Sequence, residues 1–179
     1  LRECWFLEGV RVVDEDGDSD EIVKTIEVSE ARISEEWNQS LESDISGSPT
    51  VVNERLYVGS DNSKVSIIGT ESGAIQEQIS VSGNVLTAPT VTGESLYVAS
   101  GRNNINILDN SQLQTFDTND GSETWSFSLG TSSATSSPTV VDNTVFVGGS
   151  DVTLSPELSG VYAVEDGNKK WEFSSGGDV

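Results

Sequence analysis

The chain has 179 residues, in which 30 Asp and Glu oppose 9 Lys and Arg, with no His, no Met and one Cys. A net charge of −21 repels phosphate backbones and anionic lipid surfaces, so neither nucleic acid nor direct membrane insertion is expected. Without His, and with Cys4 alone, the chain cannot build a Ser-His-Asp or Cys-His centre, a usual zinc site or an intrachain disulfide.

Residues 1–36 carry the least pattern. Trp5-Phe6-Leu7 and Val10-Arg11-Val12-Val13 read as strand pieces, and Asp14 to Glu21 as an acidic loop. Asp14, Asp16, Asp18 and Asp20 place carboxylates at alternating positions around Gly17, a spacing that suits calcium. An EF-hand-like loop starting at Asp14 needs Gly at 19 and Glu at 25, where Ser19 and Thr25 stand. A solvated acidic turn is therefore the preferred reading, and calcium a weak candidate. Trp37 reads as opening the last strand of a degenerate first repeat; a short helix over 30–38 is the competing reading.

From residue 37 the sequence repeats. Ser48-Pro49-Thr50-Val51-Val52-Asn53-Glu54-Arg55-Leu56-Tyr57-Val58 returns at 88–98 and at 137–147 without a gap. Recurrence at this period marks a repeat architecture. Each copy reads as a hairpin. Thr and Val favour strand geometry, and Asn53-Glu54, Gly93-Glu94 and Asp142-Asn143 supply the turns. The return strands Leu56-Tyr57-Val58, Leu96-Tyr97-Val98 and Val145-Phe146-Val147 are apolar on both faces, which calls for burial between neighbouring sheets.

A second motif follows each hairpin. Thr115 to Trp125 contains the turn Asp120-Gly121, and Val161 to Trp171 contains Asp166-Gly167. The first repeat keeps Glu71-Ser72-Gly73 but has Glu77 where the tryptophan falls elsewhere. One unit is thus two hairpins, or four short strands. The units span about 46–82, 86–129 and 135–175, with extra loop residues near 101–112 and 150–158. Strands of the first unit are expected near 49–52, 55–59, 64–68 and 74–81.

These residues resemble the repeat of the PQQ-like (quinoprotein-type) β-propellers, which include bacterial outer-membrane assembly lipoproteins. Asp117, Gly121 and Trp125 match the family pattern Ala-x-Asp-x-x-Thr-Gly-x-x-x-Trp, with Thr115 in place of Ala and Asp120 in place of Thr. Ala163, Gly167 and Trp171 match a shortened copy. The resemblance covers about 37–179, with 1–36 as a degenerate blade or extension. It implies an all-β fold of four-stranded antiparallel blades. The expected form is a partial propeller, a piece of a larger ring or an open arc, with three clear blades and one N-terminal remnant. It also implies that Trp37, Trp125 and Trp171 pack between blades, with Gly121 and Gly167 in the docking turns and Asp117 as a turn acceptor.

The function implied is a non-catalytic scaffold, without cofactor, that binds a protein, peptide or glycan through blade-face loops. Self-association through open blade surfaces is a further expectation. The alternatives are a segment of a PQQ-dependent dehydrogenase, which would bring PQQ and calcium, and a sensor domain of a larger membrane or signalling protein. The acidic excess with few lysines suggests adaptation to high salt, most simply in a haloarchaeon, with an extracytoplasmic or cell-surface location. Screening of like charges then predicts that molar KCl raises the melting temperature, read by circular dichroism. A midpoint indifferent to KCl contradicts the halophilic reading.

Overall fold

A computed structural model describes residues 10–13, 19–22, 37–101, 111–129, 133–134, 136–150 and 160–174. The chain divides into two units, residues 1–36 and 37–179. In the first unit, β1 (Val10–Val13) and β2 (Ser19–Ile22) form one antiparallel ladder, with Val12 opposite Asp20. Ser19, Asp20 and Glu21, expected in the acidic loop, lie in a strand instead. Asp14, Asp16 and Asp18 lie outside the described residues.

The second unit contains three antiparallel sheets and no helix among the described residues. The first sheet runs β3 (Thr50–Val52), β4 (Arg55–Ser60), β5 (Lys64–Gly69) and β6 (Ile75–Ser80). The second runs β7 (Thr90–Thr92), β8 (Ser95–Ser100), β9 (Gln112–Asp117) and β10 (Glu123–Ser128). The third contains β11 (Ser133–Ala134), β12 (Thr139–Val141), β13 (Thr144–Ser150), β14 (Gly160–Glu165) and β15 (Asn168–Ser174). Its fifth strand departs from the four-stranded expectation. β12 pairs only with Thr144, Val145 and Phe146, and β11 pairs with the far end of β13 at Gly149 and Ser150. A single bridge, Asn84 to Gly101, is the counterpart in the second sheet.

Turn chemistry sets the hairpins. Asn53 and Glu54 both hold positive φ (50° and 61°), as do Asp142 and Asn143 (46° and 67°). Two consecutive left-handed residues match the twist of the flanking strands. The second hairpin of the first two sheets closes on a longer loop. Gly73 N donates to Gly69 O at 2.9 Å, and Gly121 N to Asp117 O at 2.9 Å. In the third sheet, Asp166-Gly167 closes the hairpin alone, because Glu165 pairs directly with Asn168.

Each second hairpin also carries a bulge that sequence periodicity does not reveal. Ile67 pairs with Glu77 and Ile68 with Ile75, leaving Gln76 extra. Thr124 and Lys170 are the extra residues of the other two sheets. The bulge sets the next residue in a common row across each sheet: Tyr57–Ile67–Glu77, Tyr97–Thr115–Trp125 and Phe146–Ala163–Trp171. This register makes Glu77 the positional equivalent of the two tryptophans.

The core lies between sheets. Tyr57, Val65, Ile67 and Ile79 of the first pack with Leu96, Val98 and Phe116 of the second. Tyr97, Ala99 and Leu113 of the second pack with Val145, Val147, Tyr162 and Val164 of the third. Alternate residues of the middle strands therefore serve opposite seams, which explains their apolar character on both faces. Strands in this arrangement form a partial β-propeller of antiparallel blades.

Candidate interaction surfaces

Tryptophan meets glycine at two places, Trp37 on Gly73 and Trp125 on Gly167. Trp37 stands before the first sheet in irregular backbone, not in the strand expected for it, since no described strand pairs with it. Its indole Nε1–H donates to Thr70 O at 2.8 Å. A Cβ on Gly73 would come within 2.5–2.7 Å of its ring atoms. Trp125 lies likewise against Gly167 of the third sheet, 3.4 Å from the position of a Cβ there. Tyr97 meets the Trp125 ring edge-on at 6.1 Å.

At the middle seam Glu77 lies on Gly121, its carboxylate where a Cβ would fall. A carboxylate cannot donate to the turn carbonyl. Arg55 supplies that bond: its Nη1 donates to Thr118 O at 3.0 Å, the counterpart of Thr70 O. Two side chains thus share the work one indole does elsewhere. Nothing in the local sequence around Arg55 announces this role. Replacing Glu77 with Trp is expected to raise stability by about 1 kcal/mol through recovered apolar burial, measured as a denaturant midpoint. A lower midpoint would contradict the equivalence of the three positions.

A second repeated contact runs along the inner side. The Thr50 hydroxyl donates to Pro89 O, and the Thr90 hydroxyl to Pro138 O. Ala88 N also donates to Ser137 Oγ at 3.0 Å. The Pro-Thr dipeptides thus link the sheets in series, with Thr50 as donor, Pro89-Thr90 as both acceptor and donor, and Pro138 as acceptor, a role that strand propensity alone does not suggest.

Both hairpin turns of a sheet emerge at one end, because the strands run up and down in order. Thr70 N reaches Glu54 O at 3.0 Å, and Thr118 N reaches Glu94 O at 2.8 Å. In the third sheet Asn143 Nδ2 donates to Asp166 Oδ1 at 3.2 Å. Glu54, Glu71, Glu94, Asp120, Asp142 and Asp166 are all exposed there. A shallow polar cleft of about 280 Å³ opens at this end, lined by residues that include Glu54, Arg55, Glu71 and Gln76.

Asp117 accepts a bond from Asn119 N at 2.7 Å, which braces the turn. Asp120 accepts from the Ser122 hydroxyl at 2.6 Å and from Ser122 N at 2.9 Å. The hydroxyl bond foremost, then the amide bond, holds the Asp120 carboxyl below its ordinary value. A depressed folded value gives stability that is present above the ordinary carboxylate range and lost as pH falls through the folded midpoint. Ser122→Ala should move the Asp120 midpoint upward in a carboxyl NMR titration; an unmoved midpoint removes the hydroxyl from this account.

Asp20 stands in β2 opposite Val12. No cluster of three or more metal-ligating side chains occurs among the described residues. No helix among them is long and apolar enough to cross a membrane, which says nothing of strands.

Residues 25–178 match the family described as PQQ_2, outer membrane protein assembly factor BamB. The chain belongs to this PQQ-like β-propeller family. No curated protein matches it. Among solved structures it is similar to BamB from Moraxella catarrhalis, at 19% identity and TM-score 0.59, covering 77% of this chain and 39% of that one. It is also similar to the quinohemoprotein alcohol dehydrogenase ADHIIG from Pseudomonas putida HK5, at 20% identity and TM-score 0.59, covering 75% and 21%. The computationally designed Ika4 protein is similar at 15% identity and TM-score 0.55, covering 75% of each chain. This PQQ-like propeller thus spans well under two thirds of the first two relatives. At these identities the likeness is one of fold.

Proposed function

We propose that this PQQ-like propeller segment is a non-catalytic interaction scaffold whose turn end meets a protein or peptide partner. The carrying observation is the bracing of that end. In every sheet the two turns are hydrogen-bonded to each other, and Arg55 ties the first sheet to the second. Side chains mounted on such turns present a pre-ordered surface, which lowers the entropic cost of binding. Its exposed carboxylates favour a partner segment rich in Lys and Arg. The family description, an outer membrane assembly factor, supports this reading and a place in the cell envelope.

The test uses a photo-crosslinking residue at Asn119 or Glu71, on the turn end, and another at Gln78, on β6, in cells of the source organism. A discrete protein adduct from the turn positions alone supports the scaffold. Equal adducts from Gln78, or none from any position, overturn it. The dehydrogenase reading has one specific support, the likeness to the Pseudomonas putida enzyme. Alcohol-dependent dye reduction after addition of PQQ and calcium would establish it in place of the scaffold.

A further inference from the structure

Asn38-Gln39-Ser40 is the one Asn-x-Ser/Thr triplet in the sequence. Such a triplet is the acceptor signal for N-glycosylation where it stands on an accessible loop outside the cytoplasm. In a chain rich in Asn, Ser and Thr chance alone supplies the spacing, so placement has to decide whether it is used.

Asn38 and Ser40 are both exposed, and residues 37–41 form no strand, so no ladder has to open for the triplet to be reached. The bonds within it are local. Gln39 Nε2 donates to Ser40 O at 2.9 Å, and Glu42 N donates to Ser40 Oγ at 3.4 Å. The second bond engages a lone pair of the hydroxyl and leaves its proton able to donate. The flanks are held: Trp37 Nε1 donates to Thr70 O, and Leu41 is buried.

The second sheet carries the same run. Trp125-Ser126-Phe127-Ser128-Leu129 parallels Trp37-Asn38-Gln39-Ser40-Leu41; each tryptophan lies against a turn glycine, and both leucines are buried. Ser126 and Ser128 are exposed although that sheet has a neighbouring sheet on each face. The first and third places after the tryptophan are thus surface places of the repeat itself, independent of what lies before Trp37.

We propose that Asn38 carries an N-linked oligosaccharide. The donor is an oligosaccharide linked to a lipid phosphate, brought by a separate transferase. Asn38 Nδ2 attacks the anomeric carbon: the bond from C1 to the phosphate oxygen breaks, a bond from C1 to Nδ2 forms, the lipid phosphate leaves with the bonding pair, and one amide proton passes to a base of the transferase. The inference rests on the cell-envelope placement given above and needs nothing of the partner at the turn end.

Trypsin cuts after Arg32 and Arg55 and leaves Asn38 in the peptide 33–55. Electron-transfer fragmentation of that peptide, from chain isolated from its source cells, should place a saccharide mass on Asn38 and none on Asn53. Asn38→Gln and Ser40→Ala should each abolish it, whereas Ser40→Thr, which keeps the hydroxyl, should retain it. Thermal melts verify that each variant is folded. Fractionation of the same cells reports whether the chain is exported. An exported chain with a bare Asn38 overturns the inference and leaves the partner reading intact. A chain held in the cytoplasm overturns the envelope placement and the inference with it. A saccharide that survives Asn38→Gln or Ser40→Ala overturns the assigned site.

Discussion

Trp125→Ala is expected to destabilise the fold by about 3 kcal/mol, whereas the same change at Trp171 should cost about 1 kcal/mol or less. The two residues occupy equivalent register positions, opposite Thr115 and Ala163. They differ in what covers them. Trp125 packs into the cluster between the second and third sheets, lies against Gly167 and meets Tyr97 edge-on. Trp171 has Phe146 beside it at 5.8 Å and nothing of the described chain across its exposed side. Removing Trp125 therefore opens a void that the stacked sheets cannot collapse to fill. Removing Trp171 mainly trades one exposed side chain for another. The measurement is a urea titration of both variants in one salt buffer. Trp125→Ala should lower the melting temperature by roughly 6–12 °C. Similar midpoints for the two variants would show that the seam does not hold Trp125 as described.

Gly73→Ala is expected to cost about 3 kcal/mol, and Gly93→Ala about 1 kcal/mol. Both glycines hold positive φ, 66° and 61°, so the backbone penalty of a Cβ is similar. At Gly93 nothing lies within 4 Å of the added methyl. At Gly73 three atoms of the Trp37 indole lie within 2.5–2.7 Å of it. The ring is anchored through Nε1 to Thr70 O, so it cannot retreat without breaking that bond. Moving the ring would also uncover Leu41, Val58 and Ile68. Tryptophan fluorescence separates the effects: Gly73→Ala should red-shift the emission as Trp37 leaves its seat, and Gly93→Ala should not. Equal losses of stability with unshifted spectra would mean that positive φ alone accounts for both.

The first sheet shows how closely local signals tracked the fold. Expected strands at 49–52, 55–59, 64–68 and 74–81 appear as Thr50–Val52, Arg55–Ser60, Lys64–Gly69 and Ile75–Ser80. β-Branched residues, two-residue turns and period-two patterning are short-range signals, and every copy of the repeat restates them. The tryptophan motif was legible for the same reason. What stayed hidden were the features that join one repeat to another. Arg55 reaches Thr118 across 63 positions, and Thr50 reaches Pro89 across 39. The bulges at Gln76, Thr124 and Lys170 leave no mark on composition, because any residue can occupy the extra place.

Sequence by itself determined the repeat, its strands and turns, and the family, since each rests on chemistry within a few residues: positive φ at Asn53, β-branching at Thr50 and Val51, Asp-Gly before Trp125. Tertiary structure alone decided which sheet each apolar face serves, that Glu77 and Arg55 together replace a tryptophan, and that Trp171 stays half exposed among the described residues. A strand has two faces and its sequence assigns neither to a neighbour. That choice belongs to the packing of whole sheets, where burial is gained only when a second surface arrives.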